Sequence, residues 1–131
     1  MNARFPVLAA GLFGLTGVIL GAFGAHALRA FLMERGMREV WETAVQFQLV
    51  HAVALLALGA WWRGAPDGTA ARRAAWAARC WTVGILFFSG SLYFLAAGAP
   101  RWVGPATPLG GLALMAGWVW LIALALARPT P

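Results

Sequence analysis

The sequence predicts an all-α integral membrane protein with four transmembrane helices in a compact antiparallel bundle. The chain has 131 residues, of which 62% are hydrophobic and only 11% charged, a composition far from that of soluble domains. Four stretches without any charged residue are 24, 20, 21 and 26 residues long. About 20 apolar residues are enough to cross a bilayer as a helix. Membrane strands would instead alternate at every second residue, so these stretches favour helices.

Prolines, glycines and charged residues mark the limits of each predicted span. Segment 63–68 contains proline and glycine and predicts a turn, after which Thr69 is expected to cap a helix that continues into the third span. Residues 28–37 are expected to form a short amphipathic piece, and the prolines of segment 100–108 predict a loop. We interpret residues 1–131 as a single membrane domain. Its spans cover about residues 5–27, 43–62, 80–99 and 109–127.

A signal peptide is an alternative interpretation of the first span. Arg4 precedes the apolar stretch, and Ala25 to Ala27 offer an A-x-A cleavage pattern. However, the uncharged stretch is longer than the apolar core of about 7–15 residues that is typical of signal peptides. We therefore expect the first helix to be retained.

The charge distribution predicts the orientation and excludes nucleic acid as a partner. The net charge is +6, but all ten basic residues are arginines at predicted helix ends and loops, so anionic lipid head groups are the expected partner. The positive-inside rule places both termini in the cytoplasm. The inner side would carry six arginines, Arg4, Arg63, Arg72, Arg73, Arg79 and Arg128, and the outer side four, Arg29, Arg35, Arg38 and Arg101. Interface anchors would be Trp41 and Trp102 outside, and Trp61, Trp62, Trp76 and Trp81 inside.

Glycines form a stripe on the predicted first helix. Gly14, Gly17, Gly21 and Gly24 follow spacings of three, four and three, which place them on one helical face. Small residues allow helices to approach closely in lipid, and Gly117 in the fourth span offers a possible counter-surface. The stripe is expected to pack against another span of the same chain, or against a second copy in a homo-oligomer.

Polar residues within the spans are where the function of a membrane protein is usually sought. His51 lies near the middle of the second span, and Gln48 precedes it by about one turn on the same face. We predict one polar site in the outer half of the bundle, either ligand-binding or structural. Its residues are His26, Gln48, His51, Ser89, Ser91 and Tyr93.

The same residues do not predict an enzyme. A transition-metal site usually needs three or four ligands, whereas the spans contain two histidines and no carboxylate. No nucleophile has an obvious base and orienting acid beside it. We expect no catalytic residue, metal or cofactor. A metal- or haem-binding accessory subunit that uses His26 and His51 is kept as an alternative.

Four ordered motifs cover most of the chain. They are GAFGAHAL at residues 21–28, ETA at 42–44 followed by Gln48 and His51, FSGSLY at 88–93, and TPLGG at 107–111 followed by Gly117 and Trp118. Together they resemble the small four-helix membrane proteins of the domain of unknown function 423 family, which are YgdD-like or similar to transmembrane protein 256. The resemblance implies a multi-pass protein of the bacterial inner membrane with a retained first helix. It implies no reaction, and Phe47 stands where many members have tyrosine.

We therefore expect a non-enzymatic binding or assembly protein for a lipid, a small hydrophobic ligand or a partner membrane protein. An oligomeric transporter or ion-conducting protein is the main alternative. Residues 52–62, the inner half of the second span, carry no polar side chain except tryptophan, and a polar path across the membrane would need one there.

Overall fold

The computed structural model describes residues 2–64 and 68–126, and within these ranges all regular structure is helical. Asp67 and Arg128, which enter the charge count, and residue 127, the expected end of the fourth span, lie outside the described residues. The helices are α1 (Arg4–Ala25), α2 (Arg29–Glu34), α3 (Arg38–Trp62), α4 (Thr69–Ala96) and α5 (Ala106–Ala125), with a 3₁₀ turn at Arg101–Val103 before α5.

Four helical segments are long and apolar enough to cross a membrane. They are α1, α3, α4, and α5 together with its preceding 3₁₀ turn. This confirms the predicted fold class. At 28 residues, α4 is about 42 Å long, whereas the hydrocarbon core is about 30 Å thick. Its first turns, which carry Arg72 and Arg73, therefore extend beyond the hydrocarbon.

Two glycines end helices on the side of the molecule opposite the α3–α4 turn. Gly36 follows α2 and Gly98 follows α4, with φ of 65° and 103°, a left-handed conformation that favours glycine. The next residue in each case donates its backbone N–H back into the helix: Met37 to the carbonyl of Leu32, and Ala99 to that of Phe94, both over 2.8 Å. These are Schellman-type ends. At the start of α4 the N-cap is Gly68, not Thr69, and no side chain caps the helix.

The spans pack in chain order. Among the described residues, extensive contacts between spans join α1 to α3, α3 to α4, and α4 to α5. The larger buried cluster lies toward the α3–α4 turn and includes Leu58, Trp62 and Trp81. A smaller cluster lies beside α2, where Leu32 packs with Trp41 and Ala96.

Large apolar side chains cover the outside of the helices. Val53 and Phe94 are each 66% exposed, and Val119 is 63% exposed. A continuous apolar exterior of this kind would be unstable in water, but the hydrocarbon of a bilayer solvates it. The exterior is therefore that of a membrane protein.

Three of the tryptophans expected to anchor the interfaces are buried against other helices. Trp41 is 6%, Trp62 8% and Trp81 1% exposed. For Trp41 and Trp81 the reason is a glycine on the facing helix, Gly24 and Gly117 respectively, whose missing side chain leaves room for the indole. The other expected anchors, Trp61, Trp76 and Trp102, are exposed.

Candidate functional site

Gln48 connects three helices through its side-chain amide. Its Nε2 donates to the carbonyl of Phe13 over 2.9 Å and to the hydroxyl of Thr16 over 2.8 Å, both in α1. Its Oε1 accepts from the hydroxyl of Tyr93 in α4 over 2.9 Å. Because Gln48 is only 3% exposed, these bonds replace those that the amide would make to water. The residue fixes the register of α3 against both neighbours.

Trp41 adds a second polar connection between the same helices. Its indole N–H donates to the carbonyl of Leu20 in α1 over 2.9 Å. Its ring meets that of Tyr93 edge-on, with centroids 4.8 Å apart, a favoured arrangement of aromatic pairs. Sequence reasoning missed this role because it assigned Trp41 to the membrane interface.

His51 is 5% exposed and uses both ring nitrogens within the protein. Nδ1 lies 2.8 Å from the carbonyl of Phe47, which can only accept, so Nδ1 carries the proton. Nε2 lies 3.0 Å from the indole N–H of Trp118 in α5, so Nε2 accepts. The two contacts require the neutral tautomer with hydrogen on Nδ1. The ring therefore links α3 to α5.

Ser89 and Ser91 connect α4 to different helices. The hydroxyl of Ser89 donates to the carbonyl of Ala44 in α3 over 2.8 Å. The oxygen of Ser91 lies 2.6 Å from the hydroxyl of Thr107 in α5 and 3.0 Å from the carbonyl of Phe88. Thr107 stands in the TPLGG motif, but its pairing with Ser91 was not foreseen.

His26 is separate from the other predicted site residues. It is exposed at the C-terminal end of α1, and within residues 2–64 and 68–126 its side chain makes no hydrogen bond. The remaining five residues lie at neighbouring levels of α3 and α4, but only Gln48 and Tyr93 bond to each other. The rest find partners in backbone carbonyls or on facing helices. The structure thus does not join the six residues into one hydrogen-bonded network.

The predicted glycine stripe faces α3 along part of its length. A Cβ at Gly17 would lie 2.7 Å from the side chain of Leu49, one at Gly24 would overlap the ring of Trp41, and one at Gly21 would lie 3.3 Å from Val45. Gly14, in contrast, has nothing within 4 Å. Gly14 is therefore not part of the close contact between α1 and α3, although it lies on the same helical face as Gly21, seven residues later.

A close approach of α5 to α4 involves a glycine that was not among the predicted packing residues. A Cβ at Gly110 of α5 would overlap the backbone of Phe87 and Phe88 in α4. Gly117, which was predicted, lies two turns later against Trp81. The Gly-Gly pair of the TPLGG motif was the available signal.

An apolar groove of about 570 Å³ lies between α3 and α5, with α4 as its floor. His51 and Trp118 meet at its deep end, and Trp81 lies beneath them, its ring 4.9 Å from that of Trp118. Trp81 Nε1 is buried and has no hydrogen-bond partner among the described residues. The groove is lined by Ala54, Ala57, Leu58, Trp61, Trp81, Trp118, Leu121, Leu124 and Ala125.

Potential metal ligands are not gathered in the described ranges. Across residues 2–64 and 68–126, no group of three or more histidine, cysteine, aspartate or glutamate side chains is placed to hold a metal ion.

Comparison with known proteins gives a consistent set of relatives. Residues 20–111 match the family DUF423, described as "Protein of unknown function (DUF423)". A UPF0382 membrane protein of Staphylococcus haemolyticus is 42% identical over 90% of this chain and 91% of its own. One of Haemophilus influenzae is 36% identical, over 92% of both chains. The UPF0382 inner membrane protein YgdD of Escherichia coli is 32% identical, over 93% of this chain and 89% of its own. No solved structure matches the chain.

Proposed function

This chain belongs to the DUF423 family of membrane proteins, and on that premise we propose that it is a non-enzymatic binding protein of the bacterial inner membrane that holds an apolar molecule between its second and fourth spans. The observation that carries the proposal is the groove between α3 and α5, with its volume of about 570 Å³. Small-molecule sites typically have volumes of about 300–1,000 Å³ and mostly apolar and aromatic linings.

The lining of the groove supports an apolar occupant. Ala54, Ala57 and Ala125 have short side chains that leave the space open, while Leu58 and Leu121 form apolar walls. The indole of Trp118 already donates to His51, so it offers the occupant a ring surface and no free donor. Selection here would depend on shape and apolar contact.

The polar side chains nearby support binding more than catalysis. The hydroxyl of Ser89 is bonded to a backbone carbonyl and that of Ser91 to Thr107. Among the described residues, neither serine has a histidine or a carboxylate as its hydrogen-bond partner, and such a partner is what activates a serine nucleophile. The imidazole of His51 has both nitrogens engaged. These groups hold helices together.

A transport role has less support. A conducting path needs polar groups or water along its length, whereas the lining of the groove is apolar apart from its indoles. Coverage of the groove by a second copy of the chain or by a partner membrane protein is the other explanation of its apolar lining, and a wild-type protein that retains no small molecule would favour it.

The proposed orientation places both termini in the cytoplasm. Its basis is the excess of arginines on the side of the termini and the α3–α4 turn. YgdD, a relative, is named an inner membrane protein, which supports the same membrane for this chain.

The test compares wild-type protein with two variants of the same chemistry. Ala57→Phe fills the groove, whereas Ala60→Phe adds the same ring to an exposed position of α3 outside it. Each protein is purified in mild detergent, and its bound small molecules are extracted and identified by mass spectrometry. We expect wild type and Ala60→Phe to retain an apolar molecule in near-stoichiometric amount and Ala57→Phe to lose it. Equal retention by all three, or none by wild type, would disprove the proposal.

A further inference from the structure

We propose that the groove binds an anionic phospholipid. One acyl chain would lie along the groove, and the phosphate would lie beside the arginines at its open end. This inference rests on the proposed function and names the class of molecule that the groove holds. Three features support it: the direction of the groove, its apolar lining, and the charge at its open end.

The groove runs from the middle of the helices toward their ends. Its deep end is at Trp118, and along α3 its lining reaches Trp61, one residue before the helix ends at Trp62. Along α5 the lining reaches Ala125, the last helical residue. A phospholipid has the same polarity along its length, since its acyl chains point to the membrane centre and its phosphate lies at the interface.

The length and lining of the groove suit an acyl chain. The stretch of α3 from Ala54 to Trp61 rises by roughly 10 Å. The groove is lined there by alanine, leucine and tryptophan side chains. A flexible acyl chain can follow a groove of this length and lining.

Two arginines lie at the same end of the molecule as the open end of the groove. Arg63 is exposed and directly follows α3. Arg73 reaches from α4 to the carbonyl of Ala123 in the last turn of α5, one residue before the lining residue Leu124. A guanidinium has five N–H donors, so this bond leaves Arg73 others to offer a phosphate. In the sequence, Asp67 is the only acidic residue on this side of the molecule, and it lies outside the described residues.

The opposite end of the molecule has a different charge balance. Glu34, Glu39 and Glu42 are located there, and Glu42 forms an ion pair with Arg38 over 2.7 Å. Attraction of an anionic head group is therefore expected at the groove end and not at the other end. Each basic residue near an anionic membrane surface strengthens binding by about fivefold.

The test uses two lipids that differ only in head group. Delipidated protein in detergent is mixed with equimolar palmitoyl-oleoyl phosphatidylglycerol and palmitoyl-oleoyl phosphatidylcholine, and bound lipids are counted by native mass spectrometry. We expect wild type to prefer phosphatidylglycerol at least fivefold. Arg63→Gln and Arg73→Gln should each reduce that preference about fivefold, while Arg101→Gln, at the opposite end, should leave it unchanged. Ala57→Phe should remove both lipids. Because Arg73 also bonds to α5, Arg73→Gln is at risk of not folding. In that case the lipid preference of Arg63→Gln alone tests the contribution of the arginines.

Other outcomes overturn the inference, and they separate it from the proposed function. Equal binding of the two lipids, lost in Ala57→Phe, would refute the anionic preference but leave a groove that binds apolar molecules. Retention of a non-phospholipid molecule in place of either lipid would also refute the phospholipid proposal and leave a groove that binds apolar molecules. A dimer that Ala57→Phe dissociates would identify a second copy as the occupant and refute both proposals, as would the absence of any bound molecule.

Discussion

The indole N–H of Trp118 donates to Nε2 of His51 over 3.0 Å, and this bond joins the fourth span to the second across the ring of Trp81. The helices α3 and α5 are otherwise separated at this level by the groove. The bond therefore sets the distance between the two groove walls at the deep end.

Replacing His51 with leucine should destabilise the fold more than replacing it with glutamine. Leucine removes the acceptor and leaves the Trp118 N–H without its partner inside the membrane span, whereas the glutamine carbonyl can still accept. We expect a loss of about 0.6–2 kcal/mol for His51→Leu, measured by thermal unfolding in detergent. A double-mutant cycle with Trp118→Phe isolates the bond. A coupling energy indistinguishable from zero would show that the bond contributes nothing to stability.

Gly17 and Gly14 form a matched pair for testing helix packing. Leucine at Gly17 would collide with Leu49, whereas Gly14 has open space around it. Overpacking of this kind typically costs about 1–3 kcal/mol, so Gly17→Leu should lower the yield of folded protein and its unfolding temperature. Gly14→Leu should leave both nearly unchanged. Equal effects of the two changes would show that α1 does not contact α3 as described.

Tyr93 offers a way to separate a hydrogen bond from a ring contact. Tyr93→Phe removes the bond to Gln48 but keeps the edge-on contact with Trp41, whereas Tyr93→Leu removes both. We expect a loss of about 0.6 kcal/mol for phenylalanine, the average for hydrogen bonds within membranes, and about 0.5–1.5 kcal/mol more for leucine. Chemical unfolding in detergent measures both. A larger loss for phenylalanine than for leucine would contradict the aromatic contact.

The orientation can be tested by labelling introduced cysteines. In a Cys80→Ala background, cysteines at Asn2 and Thr130 should react only with membrane-permeant maleimides in intact cells. A cysteine at Arg101, on the opposite side, should also react with an impermeant reagent. External labelling at Thr130, or a mature protein that begins at Leu28, would contradict the proposed orientation and the retained first helix.

The helical architecture could be predicted from the sequence because it depends on local properties. Uncharged stretches of sufficient length specify membrane helices wherever they occur. The burial of Trp41 and Trp81 could not be predicted in this way. It depends on Gly24 and Gly117, which lie on facing helices more than 15 residues away in the sequence. The tryptophan preference for interfaces concerns depth in the membrane, and it does not say which helix packs over the ring.

The polar residues of the candidate site were also only partly predictable from the sequence. The depths of Gln48, His51 and Ser89 follow from counting residues, and the structure buries all three. Their partners do not follow from depth, because backbone carbonyls compete with side chains for every donor. Thus Ser89 bonds to Ala44 and not to His51. His26 was placed in the site by proximity to the start of α3, but it lies past the last turn of α1, where it faces outward.

Because each span packs mainly against the next in the chain, its principal contacts can form as soon as that neighbour leaves the ribosome and enters the bilayer. The bonds from Gln48 to Phe13 and Thr16 need only the first half of the chain, and Tyr93 can join them later. Contacts therefore accumulate stepwise during synthesis, and the bonds of His51 to Trp118 and of Ser91 to Thr107 complete them when the last span is present. The incomplete chain can thus pair the buried amide nitrogen of Gln48 before α4 enters the membrane.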